Sequence, residues 1–137
     1  MSRLAFVNSA NLIAKSGVIV PMDTSLDLRV VRIMERVRLD PSQSLPDLAK
    51  LVNLSSSRLS HLFKQETGVS LTSYIDEQRM ERAIDLLQST EMRIKEITYL
   101  VGFQHEASFD RAFAKKFRCT PTDYRKQKRY FIRSAQS

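Results

Sequence analysis

The side chains with chemistry to offer fall into two short runs. The first holds Ser56, Ser57, Arg58, Ser60, His61 and Lys64, and the second His105, Glu106, Ser108, Asp110, Arg111 and Lys115. Short hydroxyls, an imidazole and Arg or Lys heads are the groups that bond base edges and phosphates. Glu106 and Asp110 repel phosphates, yet a carboxylate can accept from cytosine. Plainer roles stand beside these. Arg111 could pair with a surface acid, His61 could be an ordinary surface residue, and His105 could do no more than mark a helix start. Ser57 and Ser60 could be simply solvated, and Asp110 reads better as a helix-surface or salt-bridge residue. Other chemistries have no constellation to carry them. No Ser-His-Asp set and no Gly-rich phosphate loop occurs, and His61, His105 and Cys119 lack the tight spacing of a zinc site. Catalytic residues, metals and cofactors are therefore not expected, and the chain does not read as an enzyme.

The charge points the same way. The 137 residues carry a formal net charge of +7, with a pI near 9.9, which suits a polyanion such as nucleic acid or an acidic membrane face. The excess is concentrated: Arg111, Lys115, Lys116, Arg118, Arg125, Lys126, Lys128, Arg129 and Arg133 are opposed only by Asp123. The part from Arg125 to Arg133 reads either as a phosphate grip or as a solvated charge run. Cys119 is the single cysteine, so no intrachain disulfide can form, and it reads as a small packed residue. No stretch has the length of a signal-peptide h-region or a membrane span. The cytoplasm is the expected compartment, and no membrane partner is expected.

These residues need elements to position them. Hydrophobic residues make up 42% of the chain, with only three Gly and four Pro, a balance that favours helices, in a chain whose length suits one domain with a buried core. Residues 1–25 lack periodicity, and Asp23-Thr24-Ser25 looks like a helix start. This segment reads as a loosely attached arm or the remnant of a preceding domain. Leu26, Val30, Ile33, Met34 and Val37 then recur at helical spacing up to Asp40-Pro41. Ser44 and Ser55 suit helix caps, with Asp47 in the first turn after Ser44. Leu45, Leu48, Ala49 and Val52 form one buried stripe, and Leu59, Leu62 and Phe63 the next. Asn53 suits a left-handed turn, and Gly68 closes a helix. Ser70 opens a longer helix with Tyr74, Ile75, Met80, Ala83, Leu86 and Leu87 inside. Ile94, Ile97 and Val101 mark a short helix ended by Gly102. Phe109, Ala112, Phe113 and Phe117 mark another, and Pro121 starts a last short one containing Tyr124. The expectation is an all-α fold of seven helices. The phenylalanines at helical spacing, with Phe103, read as core rather than as stacking platforms.

The chain also repeats itself. Leu45, Leu48 and Val52 match Ile94, Ile97 and Val101 at a shift of 49, as do Asp47 with Glu96 and Asn53 with Gly102. Beyond the turn the shift is 50, pairing Leu59 with Phe109, Phe63 with Phe113, Ser70 with Thr120 and Tyr74 with Tyr124. One extra residue in the second turn accounts for the change. Each copy is a short helix, a tight turn and a second helix, which is the helix-turn-helix arrangement for offering an outer face to a major groove. A middle helix of about 20 residues is about 30 Å long, against about 34 Å between successive major-groove faces on one side of B-DNA.

The run from Leu54 to Gly68 resembles the first recognition helix of the AraC/XylS family of transcription regulators. Arg79-Met80, Ala83 and Leu86-Leu87 resemble that family's linker helix. Ile94, Ile97, Gly102-Phe103, Phe109, Arg111, Phe113, Lys115, Pro121 and Tyr124-Arg125 resemble its signature around the second unit. The resemblance covers roughly Leu26 to Lys126. It implies two three-helix subdomains, a homeodomain-like pair, joined by a linker helix, with both recognition helices in major grooves of one asymmetric double-stranded DNA site. The matching base-contact positions are Ser57, Arg58, Ser60 and His61, then His105, Glu106, Ala107, Ser108 and Arg111. Phosphate contacts are implied at Lys64, Lys115 and groups near Tyr124, Arg125 among them. Members commonly activate transcription by touching RNA polymerase, and many carry an effector-binding domain, usually N-terminal. Arg118 stands where the pattern has glycine, so a left-handed turn there would be strained or reshaped. Thr98 replaces a usual alanine, and His105 a better helix cap.

The expected layout is an arm at 1–25, a DNA-binding domain at 26–128 and a basic tail at 129–137. Within the domain, the helix-turn-helix units fall at about 45–68 and 94–118, around a linker helix at about 70–89. No effector domain fits in the first 25 residues. An effector or dimer partner is therefore expected only if a further domain exists, the chain being either a stand-alone regulator or a piece of a longer one. The expected function is sequence-specific DNA binding in transcription control, as an activator. The alternative is a protein-interaction module of the same fold that antagonises a related regulator. Glu106, Asp110 and the absent glycine at 118 speak for that alternative.

Overall fold

The computed structural model describes residues 26–136, the side chains at 131–134 and 136 excepted. The expected arm at 1–25, with its helix start at Asp23–Ser25, lies outside the described residues, as does the Arg133 side chain. Among the described residues there are seven helices and no strand: α1 (Leu28–Leu39), α2 (Leu45–Leu51), α3 (Ser56–Thr67), α4 (Leu71–Ser89), α5 (Ile94–Leu100), α6 (Glu106–Phe117) and α7 (Pro121–Gln136). They form two compact units that meet between Gln78 and Arg79, within α4.

The first unit is built on the 3.6-residue period. Val30, Ile33, Met34 and Val37 of α1 are buried with Leu48 and Ala49 of α2, Leu59 and Phe63 of α3, and Leu71 and Ile75 of α4. Each fully buried side chain of this size contributes about 1.5–3 kcal/mol relative to exposure. Local caps fix where the helices begin. The Asp27 carboxylate accepts from the Arg29 N–H at 2.8 Å, so α1 starts one residue after Asp27, and Leu26 is buried ahead of the helix rather than on it. Ser44 accepts from the Asp47 N–H at 3.3 Å, Ser55 from Arg58 at 3.1 Å and Ser70 from Ser73 at 3.1 Å. After α1, Asp40 accepts from the Ser42 N–H and hydroxyl and from Gln43, which turns the chain. The Ser42 hydroxyl holds its carboxyl below the usual range.

The second unit repeats this plan with heavier rings. Met80, Ala83, Leu86 and Leu87 of α4 pack with Ile97 and Val101 and with Phe109 and Phe113 of α6. The rings of Phe103, Phe109, Phe113 and Phe117 follow one another at centroid distances of 5.5, 5.8 and 4.6 Å. Tyr124 meets Phe113 at 5.7 Å, as its counterpart Tyr74 meets Phe63 at 5.4 Å. Thr120 accepts from the Asp123 N–H at 3.0 Å and so caps α7. That helix has 16 residues, longer than the short one expected, and residues 129–136 continue it. From Thr122 onward it contains no Gly or Pro and many Lys, Arg and Gln, which lose little side-chain freedom in a helix.

Candidate nucleic-acid interface

The turn in each unit sets the angle at which the second helix leaves the first. In the first unit the Leu54 N–H returns to the Ala49 carbonyl at 3.0 Å, and in the second the Phe103 N–H returns to Thr98 at 3.0 Å. Both closures need a left-handed residue at the same place, Asn53 at φ 57° and Gly102 at φ 112°. Ser55 and His105 then occupy the N-cap positions, so the extra residue of the second turn is Gln104. Thr98 is fully buried, and its hydroxyl donates to the Ile94 carbonyl at 2.8 Å, which satisfies that donor.

With one face of α3 buried through Leu59 and Phe63, the opposite face carries Ser57, Arg58, His61 and Lys64, all exposed, while Ser56 and Ser60 are half-buried. A cleft of about 440 Å³ lies along one flank, lined by Arg29, Leu54, Ser57, Arg58, His61, Leu62 and Gln65. A second, bounded by Ser60, His61, Lys64, Gln65 and the start of α4, also touches α3. His61 and Gln65 line both, so they form the ridge between them. In α6 the buried face is Phe109 and Phe113. Ala107, Arg111 and Lys115 are exposed, His105 is exposed at the cap, and Glu106, Ser108 and Asp110 are half-buried.

The shift of 50 places His61 opposite Arg111, Ser57 opposite Ala107, and Gln65, not Lys64, opposite Lys115. Gln65, exposed four positions after His61, belongs to this ridge although it lies outside the two runs picked out by residue chemistry. Arg29 lies outside them as well, since only the folded unit brings it to the flank of α3. Its guanidinium pairs with Asp27, and this bond is the main cause that holds the Asp27 carboxyl below its ordinary range.

Two expected phosphate contacts sit differently. The Tyr124 hydroxyl accepts from Gln88 Nε2 at 3.0 Å and keeps its own proton to donate. Arg125 departs from the expectation: its guanidinium turns inward to the C-terminal end of α4. Nε donates to the Leu87 carbonyl at 3.2 Å, Nη1 to Met92 at 2.6 Å and Nη2 to Thr90 at 3.2 Å. The last carbonyls of a helix have no partner within it, and Arg125 supplies one. Burial, with repulsion from Arg129, lowers its pKa, although an arginine remains charged. Arg129 pairs with Glu91.

Comparison with known proteins fits this geometry. Residues 48–127 match the family model of a helix-turn-helix domain. The arabinose operon regulatory protein of Escherichia coli is 38% identical over 86 residues, covering 63% of this chain and 30% of that protein. The chain thus spans under a third of the length of that relative. The C-terminal domain of AraT, a response regulator from Geobacillus stearothermophilus, superposes with a TM-score of 0.67 at 33% identity, covering 76% of this chain and 88% of that one. The DNA-binding domain of AdpA, solved with a target DNA, shares the fold with a TM-score of 0.66 at 20% identity, covering 80% and 98%. The paired turns, the repeated cores and these likenesses agree: the chain belongs to the AraC/XylS family of helix-turn-helix transcription regulators and has that family's all-α fold of two helix-turn-helix units.

Proposed function

We propose that this chain binds double-stranded DNA sequence-specifically and regulates transcription as an activator, with α3 and α6 entering adjacent major grooves of one site. The observation that carries this reading is the division of each helix into a buried apolar face and an outer face rich in polar and basic side chains. In the first unit the readers are Ser57, Arg58, Ser60 and His61, with Ser56 and Lys64 at their edges. In the second they are His105, Glu106, Ala107, Ser108 and Arg111, with Lys115 on phosphate. Tyr124 remains a phosphate candidate through its hydroxyl, whereas Arg125 serves the end of α4. Ala107 offers a methyl to thymine, and Glu106 an acceptor to cytosine. Activation would come from contact with RNA polymerase in the cytoplasm. An effector or dimer partner would belong to a further domain, consistent with the length of the relatives. Arg118 adopts the same left-handed conformation as Gly68, so the absent glycine no longer speaks for an interaction module.

Selection of bound duplexes from a random pool tests the reading, and an enriched asymmetric site with two separated blocks is expected. Arg111→Ala should then cost about 1–3 kcal/mol and relax preference within one block, while Lys115→Ala should weaken all duplexes and flatten the salt dependence by about one unit. A pool that returns without enrichment would overturn specific binding. A reporter carrying the selected site, unchanged by expression of the chain, would overturn activation.

A further inference from the structure

The cleft beside α3 holds one cation that belongs to neither reading helix. Arg29 lies in the first turn of α1 and lines that cleft with Ser57, Arg58 and His61, its side chain 48% exposed. A major groove is about 12 Å wide, and a helix with its side chains is about 10–12 Å across. An entering helix therefore fills the groove, and a group facing it across a flanking cleft meets the phosphate wall rather than the base edges. Arg29 is already arranged for a planar oxyanion pair: Nε donates to Asp27 Oδ1 at 3.0 Å and Nη2 to Oδ2 at 2.8 Å. Arginine grips phosphate with the same two-pronged geometry. Its anchor is tied to the reading helix as well, because the Asp27 N–H donates to Glu66 Oε1, in the last turn of α3, at 2.9 Å.

We propose that Arg29 is a further phosphate-contacting residue of the first unit, positioned and restrained by Asp27, whose carboxylate competes with the DNA strand for the same guanidinium. This rests on the reading of α3 as a groove-entering helix. Two opposite effects follow. Removing Arg29 deletes a phosphate contact, whereas neutralising Asp27 frees Arg29 and removes a negative charge beside the strand. Asparagine at 27 retains the cap of α1, since Asn and Asp cap equally well.

The test is fluorescence anisotropy of the full chain on its selected duplex and on an unrelated one, between 50 and 200 mM salt. Arg29→Gln should weaken both duplexes alike and reduce the loss of affinity across that salt range by about 3- to 4-fold, the share of one phosphate contact. Asp27→Asn should tighten both, and the double variant should bind like Arg29→Gln. The proposal is overturned if Arg29→Gln keeps the parent's affinity and salt slope, or if Asp27→Asn, folded at the assay temperature by circular dichroism, binds no tighter than the parent. In either case a parent that still prefers its selected duplex leaves the DNA-binding reading standing. A parent without preference overturns both.

Discussion

The two units share a plan but close the ends of their second helices, α3 and α6, by different means. In the first unit the ends are finished locally and at low cost: the Ser55 hydroxyl caps α3, and Gly68 takes the left-handed turn that ends it. In the second, His105 sits at the cap of α6 without a side-chain cap bond, and Arg118 holds φ 63° where a Cβ clashes. What the second unit lacks locally it replaces by long-range contacts. Arg125 bonds the carbonyls of Leu87 in the last turn of α4 and of Met92 just beyond it, 38 and 33 residues earlier in the chain; the shift of 50 places the buried, apolar Ile75 at its position in the first unit. Four phenylalanine rings pack in series around the same core. A repeat can thus keep its backbone while changing how individual helix ends are closed.

The strongest way to break that contrast is to remove the rings. Phe113 is fully buried, and Phe113→Ala should cost about 3–5 kcal/mol. Amide exchange should then lose protection in α6 while α1–α3 keep theirs, and an equal loss in both would show that the units unfold as one. Arg125→Met removes the brace but not the aliphatic stem. It should destabilise the second unit by about 1–3 kcal/mol, as expected for hydrogen bonds made by a charged group, and urea denaturation followed by exchange would show an effect near zero if the brace is idle. Arg118→Gly should stabilise by about 1 kcal/mol by relieving the left-handed residue, less whatever the freer unfolded chain takes back, and Gly68→Ala should cost a similar amount. Thermal melts that move the same way for both would refute the equivalence of the two turns. His105→Ser should add a cap bond of about 0.5–1 kcal/mol, measured beside Ser55→Ala, which should lose about as much. The smallest effect is acidic. Asp27 and Asp40 are held below the ordinary carboxylate range by Arg29 and Ser42. Their contribution is complete above the unfolded pKa of about 4 and is lost as pH falls through the lower folded values. Melting temperature should therefore drop below about pH 4, and Asp27→Asn should remove part of that drop.

Much of the fold was legible because its signals are local. Ser44, Ser55 and Ser70 cap the helices they precede, since a cap needs only the next three residues. Asn53 and Gly102 occupy left-handed turns that a β-branched residue could not take. The apolar periods through Val30–Val37 and Phe109–Phe113 mark buried faces, and the shift from 49 to 50 locates one inserted residue. The candidate reading faces followed as the complements of those stripes. The length of α7 was less legible, because a basic run has the same composition in a helix as in a solvated tail.

Two copies of one helix-turn-helix plan, the points where each begins and turns, and the apolar faces can be read without a structure, because periodicity and capping are properties of neighbouring residues. Tertiary structure was needed to show that Arg125 closes the end of α4, that Thr98 is satisfied within the core, and that Arg29 stands beside α3. Those roles depend on groups 25 or more residues apart, or on what surrounds a side chain once it is buried. The same arginine in the same local sequence could serve a helix end, a carboxylate or a phosphate, and its place in the fold selects among them.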